Sequence, residues 1–383
     1  MERSEEAGLR HGMRQSLRDW FDERVGLDIF ERMLQKPLPK RGAWFYTLGS
    51  ATLSLITIQF VTGAFLMFYY VPDGEYAEQS IRYITEQVSY GWYLRSMHRW
   101  SANLLFVVIG LHMFRVFVSG SFKRPREMTW VIGALIFLTV IGIGLTGGLL
   151  PWDDNAHWIG TVFGNTLSYF PLVGPFLRSA LLGGEHVGTL TLTRFYALHV
   201  WVLPLVLGIL ITLHLYLIRK HGLFGSVIEY RDQIAALKAK GVPRESIIVT
   251  KMTPDETEPF YPAQVFRDSI VAFGLITAVS LFSILFPFSP YRGEEPPPTE
   301  IIPRPEWFFW SVDEWLMFFP GRLIPIGLIL VTLFFLFLPL IPFVERHPEV
   351  SPIRRPVPTI IGTWVYLFII VLALMAGARI LNY

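Results

Sequence analysis

The sequence predicts an all-α integral membrane protein: seven transmembrane helices, four before a polar linker and three after it, with short surface helices. Two observations carry this. Of the 383 residues 52% are hydrophobic and only 17% charged, too apolar a balance for an ordinary soluble domain. Uncharged runs long enough to cross roughly 30 Å of hydrocarbon also recur along the chain. Six are read directly, at Ala43 to Pro72, Met128 to Trp152, Phe195 to Ile218, Ser269 to Tyr291, Leu323 to Val344 and Pro356 to Ala378. A seventh, from about Met97 to Phe117, has only 15 uncharged residues between Arg99 and Arg115. Arginines at helix ends snorkel or pair with anionic groups, so it is counted as spanning.

The segments between follow from their composition. Residues 1–42 mix Leu17, Trp20, Phe21, Val25, Leu27, Ile29 and Phe30 with many charges, which suits an amphipathic segment on the membrane surface and not a cleavable signal. Asn155 to Leu177 is uncharged but contains His157, Asn165, Pro171 and Pro175, and reads as short interfacial helices. Residues 219–265 form a basic, polar linker between a four-helix part, 43–218, and a three-helix part, 266–383; Gly293 to Pro305 is a proline-rich loop. Lys and Arg concentrate before the first helix and between helices two and three, four and five, and six and seven. By the positive-inside tendency the N-terminus lies on the cytoplasmic, negative side and the C-terminus opposite.

Four histidines stand in two of the apolar helices at nearly equal spacing: His98 and His112 in the second, His199 and His214 in the fourth. At about 100° and 1.5 Å per residue, 14 or 15 steps return each partner to nearly the same face, roughly 21 to 23 Å away. Facing each other, the two helices present one imidazole pair near each side of a bilayer, the arrangement that holds two stacked haems by their axial positions. The topology agrees, since it sets His98 level with His199 and His112 level with His214. Gly49 and Gly63 in the first helix, and Gly133 and Gly147 in the third, repeat the 14-residue period. Small residues there give clearance for a flat macrocycle. The chain has no cysteine, which excludes disulfides, thiolate-held clusters and thioether-attached haem. Two other classes use intramembrane histidines: the di-haem membrane anchor of another quinone-linked oxidoreductase, of formate dehydrogenase or hydrogenase type, and a proton-coupled transporter.

The runs RSMHRWSANLLFVVIGLHMFRVFVSGSFKRPREMTW, TLTRFYALHVWVLPL, HLYLIRKHG and LLPWDD resemble cytochrome b of the Rieske/cytochrome b (cytochrome bc) complexes, closest to the chloroplast-type form. From about Pro259 onward, PRPEWFFW and FVERHPEVSPIRRPV are similar to the small, subunit IV-like partner that is a separate chain in chloroplasts. The resemblance implies a four-helix di-haem bundle fused to three C-terminal helices. It implies two non-covalent haem b groups, a low-potential one on His98 and His199 near the positive side and a high-potential one on His112 and His214 near the negative side. Arg95, Arg99 and Arg115 match positions near the haem propionates. Pro305-Glu306-Trp307-Phe308 matches the PEWY-type motif of the quinol-oxidation site, with Phe308 lacking the usual tyrosine hydroxyl. Asp153 and Arg219 match positions near the two quinone sites. Thr47 stands where the chloroplast form carries the cysteine that holds an extra haem.

The function so implied is that of the cytochrome b subunit of a quinol:cytochrome c oxidoreductase. One quinol electron passes to a Rieske iron–sulfur protein and a c-type cytochrome. The other crosses through the two haems to a quinone-reducing site on the negative side, contributing to the proton-motive force. The same resemblance implies a homodimeric complex in a bacterial inner membrane. Chemistry fits it: quinol oxidation releases two protons, and Glu306, set among Pro305, Trp307, Phe308 and Phe309, offers a carboxylate to accept one.

Overall fold

The computed structural model describes residues 37–40, 42–222, 257–288, 305–347 and 349–381, with isolated positions at 19, 20, 24 and 239–241. Most of the expected N-terminal amphipathic segment, the linker and the proline-rich loop therefore lie outside the described residues.

Among the described residues seven helices are long and apolar enough to cross a membrane, as expected. They are α1 (Ala43–Met67), α3 (Gly91–Val118), α4 (Glu127–Gly148), α7 (Thr189–His221), α8 (Val265–Leu285), α10 (Gly321–Val344) and α11 (Pro356–Leu381). Shorter helices stand between them: α2 (Ala77–Glu86), α5 (Asp154–Ser168), α6 (Gly174–Leu182) and α9 (Trp310–Met317). The interfacial stretch after Asp153 thus forms two helices, whereas α2 and α9 were not foreseen. Two three-residue strands, β1 (Pro37–Pro39) and β2 (Thr257–Pro259), pair antiparallel, a small exception to the all-α expectation.

By packing the chain forms two compact units, residues 1–47 with 222–270, and 48–221 with 271–383. In the first, β1 pairs with β2, Arg267 donates two hydrogen bonds to Glu258, at 2.5 and 3.1 Å, and the Thr47 hydroxyl donates to Trp44 O. The second takes helices from both sides of the linker. Its buried centre joins Leu55 and Ile56 of α1, Leu105 and Ile109 of α3, Ile136 and Val140 of α4, Leu207 of α7 and Val279 of α8. Large apolar side chains such as Trp201, Phe273 and Trp364 stay exposed, as helices solvated by lipid require.

Two helices differ from expectation in ways that matter below. α3 begins at Gly91, six residues before the expected Met97, so Arg95 joins Arg99 on the helix. α7 is interrupted by a π turn, Leu198–Val202, closed by Leu203 N–H donating to Leu198 O. Pro204 follows at once; it has no N–H and its ring clashes with a carbonyl one turn back, so a widened turn relieves both demands.

At one end of α3 the chain is fastened to the α10–α11 connection. Glu345 accepts from Lys123 Nζ at 2.7 Å and from Arg355 at 2.9 and 3.1 Å, and all three side chains are nearly buried. Arg355 also donates to Phe117 O and Val118 O, capping the orphan carbonyls and the negative end of the α3 dipole. Burial pushes the Lys123 ammonium below its ordinary range, against the pull of Glu345. Gly120 (φ 63°) turns the chain where the Val350 main chain leaves no space for a β-carbon.

Candidate functional site

α3 and α7 bring the four histidines into two pairs. The His98 and His199 rings lie edge to face, with centroids 6.3 Å apart and planes at 74°. His112 faces His214 closely enough to interact electrostatically, with Arg115 beside it. Nδ1 of His199 hydrogen-bonds to Ile143 O at 2.9 Å, and Nδ1 of His98 lies 2.9 Å from the Thr62 hydroxyl. Such contacts fix ring orientation and leave Nε2 for a metal. Nδ1 of His112 and of His214 is buried with no partner in hydrogen-bond geometry among the described residues; the Thr129 main chain is the group facing His214.

Each imidazole rests against one of the four expected glycines. A β-carbon at Gly63 would lie 3.2 Å from His98 Cε1, at Gly133 3.2 Å from His214 Cε1, and at Gly49 3.5 Å from His112 Cε1. One at Gly147 would overlap His199 Cε1 outright. The expected clearance for a macrocycle takes a more specific form: α1 and α4 make room for the imidazole edges.

The π turn explains how unequal spacings fit equal rulers. The glycines of α1 and of α4 are 14 residues apart, as are His98 and His112, but His199 and His214 are 15 apart. In an uninterrupted helix the extra residue would turn the second ring by about 100°. The widened turn absorbs it, and both rings of α7 meet their glycines on α4.

These residues fit haem. The His98 and His199 imidazoles, with centroids 6.3 Å apart, would hold one metal ion between them. No cluster of three or more His, Cys, Asp or Glu ligands exists among the described residues, so each pair suits a metal whose remaining positions a macrocycle fills.

The PEWF segment docks on the same helix. Arg99 Nη2 lies 2.5 Å from Glu306 Oε1, an ion pair with both side chains largely covered. Trp307 Nε1 donates to Asn103 Oδ1 at 2.7 Å, and the Phe308 ring stacks on Phe106 with centroids 3.8 Å apart and planes at 12°. Pro305 O accepts from Trp310 Nε1 at 2.9 Å, tying the motif to α9. Across from α3, Gly148 of α4 lies against Glu306 Cγ, and Gly144 leaves room for the edges of both Phe106 and Phe308. Asn103, Phe106, Gly144 and Gly148 were not picked out in the sequence; their only signal there is spacing, 99, 103 and 106 on one face of α3 and a Gly-x-x-x-Gly in α4.

Arg95 lies within electrostatic range of Arg99, and Phe288 touches both. Arg95 Nη1 donates to Phe288 O at 2.8 Å, with Asp153 within electrostatic range. Asp153 is the N-cap of α5, accepting from Ala156 N at 2.8 Å, and the preceding Trp152 is in the left-handed region (φ 56°). Arg219 lies in the last turn of α7.

Comparison with known proteins agrees with this arrangement. Residues 33–222 match the family described as Cytochrome b/b6/petB. The chain is 44% identical over 208 residues to a cytochrome b6 of Prochlorococcus marinus, covering 54% of this chain and 95% of that one. It is 43% identical over 208 residues to cytochrome b6 of a Synechococcus species, with the same coverage, 54% and 95%. A solved structure titled hyperthermophilic respiratory Complex III superposes with a TM-score of 0.71 at 26% identity, over 94% of this chain and 96% of that chain. With two histidine pairs seated on glycines in a seven-helix membrane fold and relatives matched over nearly their whole length, the chain belongs to the cytochrome b family of bc-type complexes.

Proposed function

We propose that this chain is the cytochrome b subunit of a membrane complex that oxidises quinol on the positive side and reduces quinone on the negative side. The observation that carries the reading is the seating of all four imidazoles against glycines spaced as they are. His98 with His199, and His112 with His214, would hold two haem b groups. Haem b, when bound there, supplies one-electron carriage between the two membrane faces, the route a second quinol electron needs when the first leaves for a Rieske iron–sulfur protein and a c-type cytochrome.

The residues have distinct tasks. Ile143 O and the Thr62 hydroxyl hold the outer imidazoles in orientation. Glu306 accepts a quinol proton; its partner Arg99 holds the carboxylate in place and releases it as the proton arrives. Pro305, Trp307 and Phe308 shape that carboxylate's surroundings and exclude water from it. Phe308 has no hydroxyl to offer quinol, and its ring is committed to Phe106. Arg95, Arg99 and Arg115 supply positive charge on the helix that carries His98 and His112, of the sign that would suit anionic propionates. Asp153 acts through α5, fixing where that helix starts, and Arg219 marks the negative-side end of α7. The N-terminus lies on the negative side, in a bacterial inner membrane, and the assembled complex is a dimer. The four helices before the linker form the haem-holding part and the three after it the part that presents PEWF.

Reduced-minus-oxidised spectra of the purified complex test the assignment. Two b-type α-bands are expected, one lost with His98→Ala or His199→Ala and the other with His112→Ala or His214→Ala. Both bands surviving His112→Ala would overturn it. Glu306→Gln is expected to keep both bands and lower quinol oxidation by about a hundredfold.

A further inference from the structure

One face of α3 engages three consecutive residues of PEWF in register. Arg99, Asn103 and Phe106, spaced four and three residues apart, fall on one side of the helix. They meet Glu306 by an ion pair, Trp307 by a hydrogen bond and Phe308 by a ring stack. The middle contact differs in kind from its neighbours. An ion pair tolerates side-chain drift and a ring stack tolerates sliding. A 2.7 Å indole N–H to amide oxygen bond in a membrane-embedded setting has one good geometry, and losing it leaves a partly buried polar group without its partner. Glu306 is the residue next to Trp307, and a β-carbon at Gly148 would already lie 3.7 Å from its Cγ, so a fixed indole leaves its carboxylate little freedom.

We propose that Asn103 is a positioning residue for quinol oxidation: by holding the Trp307 indole it sets the register of PEWF on α3 and delivers the Glu306 carboxylate to Arg99. This rests on the reading of Glu306 as the proton acceptor and assigns that site a determinant on the haem-bearing helix. Asn103 touches neither quinol nor haem in this role. Its amide NH2 is left to keep the contact polar, and Phe106 with Phe308 closes the apolar end of the same stripe in place of any hydroxyl contact.

The test uses the assembled complex in membranes with a short-chain benzoquinol and a short-chain naphthoquinol as donors. It measures kcat and KM together with the redox-induced infrared difference band of the Glu306 carboxylate, identified by its loss in Glu306→Gln. Asn103→Leu is expected to keep both haem bands, to lower kcat about tenfold to a hundredfold with KM little changed, and to move the carboxylate band. Trp307→Phe removes the donor instead of the acceptor and carries the same expectation, which covers the case of Asn103→Leu failing to assemble. The double variant is expected to be no slower than either single one, because both remove one bond. A wild-type rate and unmoved band in Asn103→Leu, with Glu306→Gln slow, overturns this inference alone, as does additivity in the double variant. A wild-type rate in Glu306→Gln overturns the proton-acceptor reading and the inference with it.

Discussion

Gly147 of α4 lies so close to the His199 imidazole that a β-carbon on it would occupy the space of Cε1. The ring is also held by Ile143 O, one turn earlier on the same helix, so it has nowhere to retreat. Gly147→Ala is therefore expected to displace the outer pair and remove one b-type band. Gly63→Ala and Gly133→Ala, with 3.2 Å contacts, should weaken a band without abolishing it, and Gly49→Ala, at 3.5 Å, should be nearly silent. Haem stoichiometry across the four variants checks the order; equal losses, or a silent Gly147→Ala, would break it.

The π turn makes a second prediction. Deleting Trp201, an exposed residue inside it, gives α7 a 14-residue spacing with no widened turn, and both b-type bands should survive. Deleting Gly208, one turn beyond Pro204, shortens the spacing while all five residues of the widened turn remain, and swings His214 about 100° from His112. The inner band alone should vanish, which redox difference spectra of the two deletions would reveal.

Arg99 is the only guanidinium paired with Glu306 among the described contacts. Arg99→Gln leaves that carboxylate without its cation, and quinol oxidation is expected to fall about tenfold or more. Arg99→Lys keeps a charge but not the planar fork, and should recover only part of the rate. Steady-state turnover at matched haem content is the measurement, and a fully active Arg99→Gln would sink the ion pair's role.

Glu345 stabilises two nearly buried cations at once. Glu345→Gln strands Lys123 and Arg355 without their counter-charge, at a cost of about 3 kcal/mol or more. A clear drop in the unfolding midpoint of the detergent-solubilised protein is expected, with the haem spectrum unchanged below it. An unaltered midpoint would show that the cluster contributes nothing to stability.

What is legible in the sequence is what repeats with a helical period or with the thickness of a bilayer. The seven spans, the histidine pairs and the glycines at 49, 63, 133 and 147 all belong to that class. The π turn does not, because Pro204 is its only local sign and a proline in a helix has several outcomes. Nor does the docking of PEWF, since Asn103 and Phe106 look like any polar and aromatic residue of a membrane helix until a segment some 200 residues away arrives against them. Arg99 and Arg95 are visible as charges near a haem ligand, but their partners, Glu306 and Phe288 O, are tertiary facts.

The buried knot around Glu345 grips the C-terminal end of α3 and the PEWF contacts its N-terminal half and middle, both with side chains contributed from beyond residue 300. The cytochrome b6 relatives match little more than half of this chain, and the family model ends at residue 222. Neither grip on α3 uses a linker residue. A gene cut in two within the linker is therefore expected to yield fragments that associate, which their co-purification from one membrane would check.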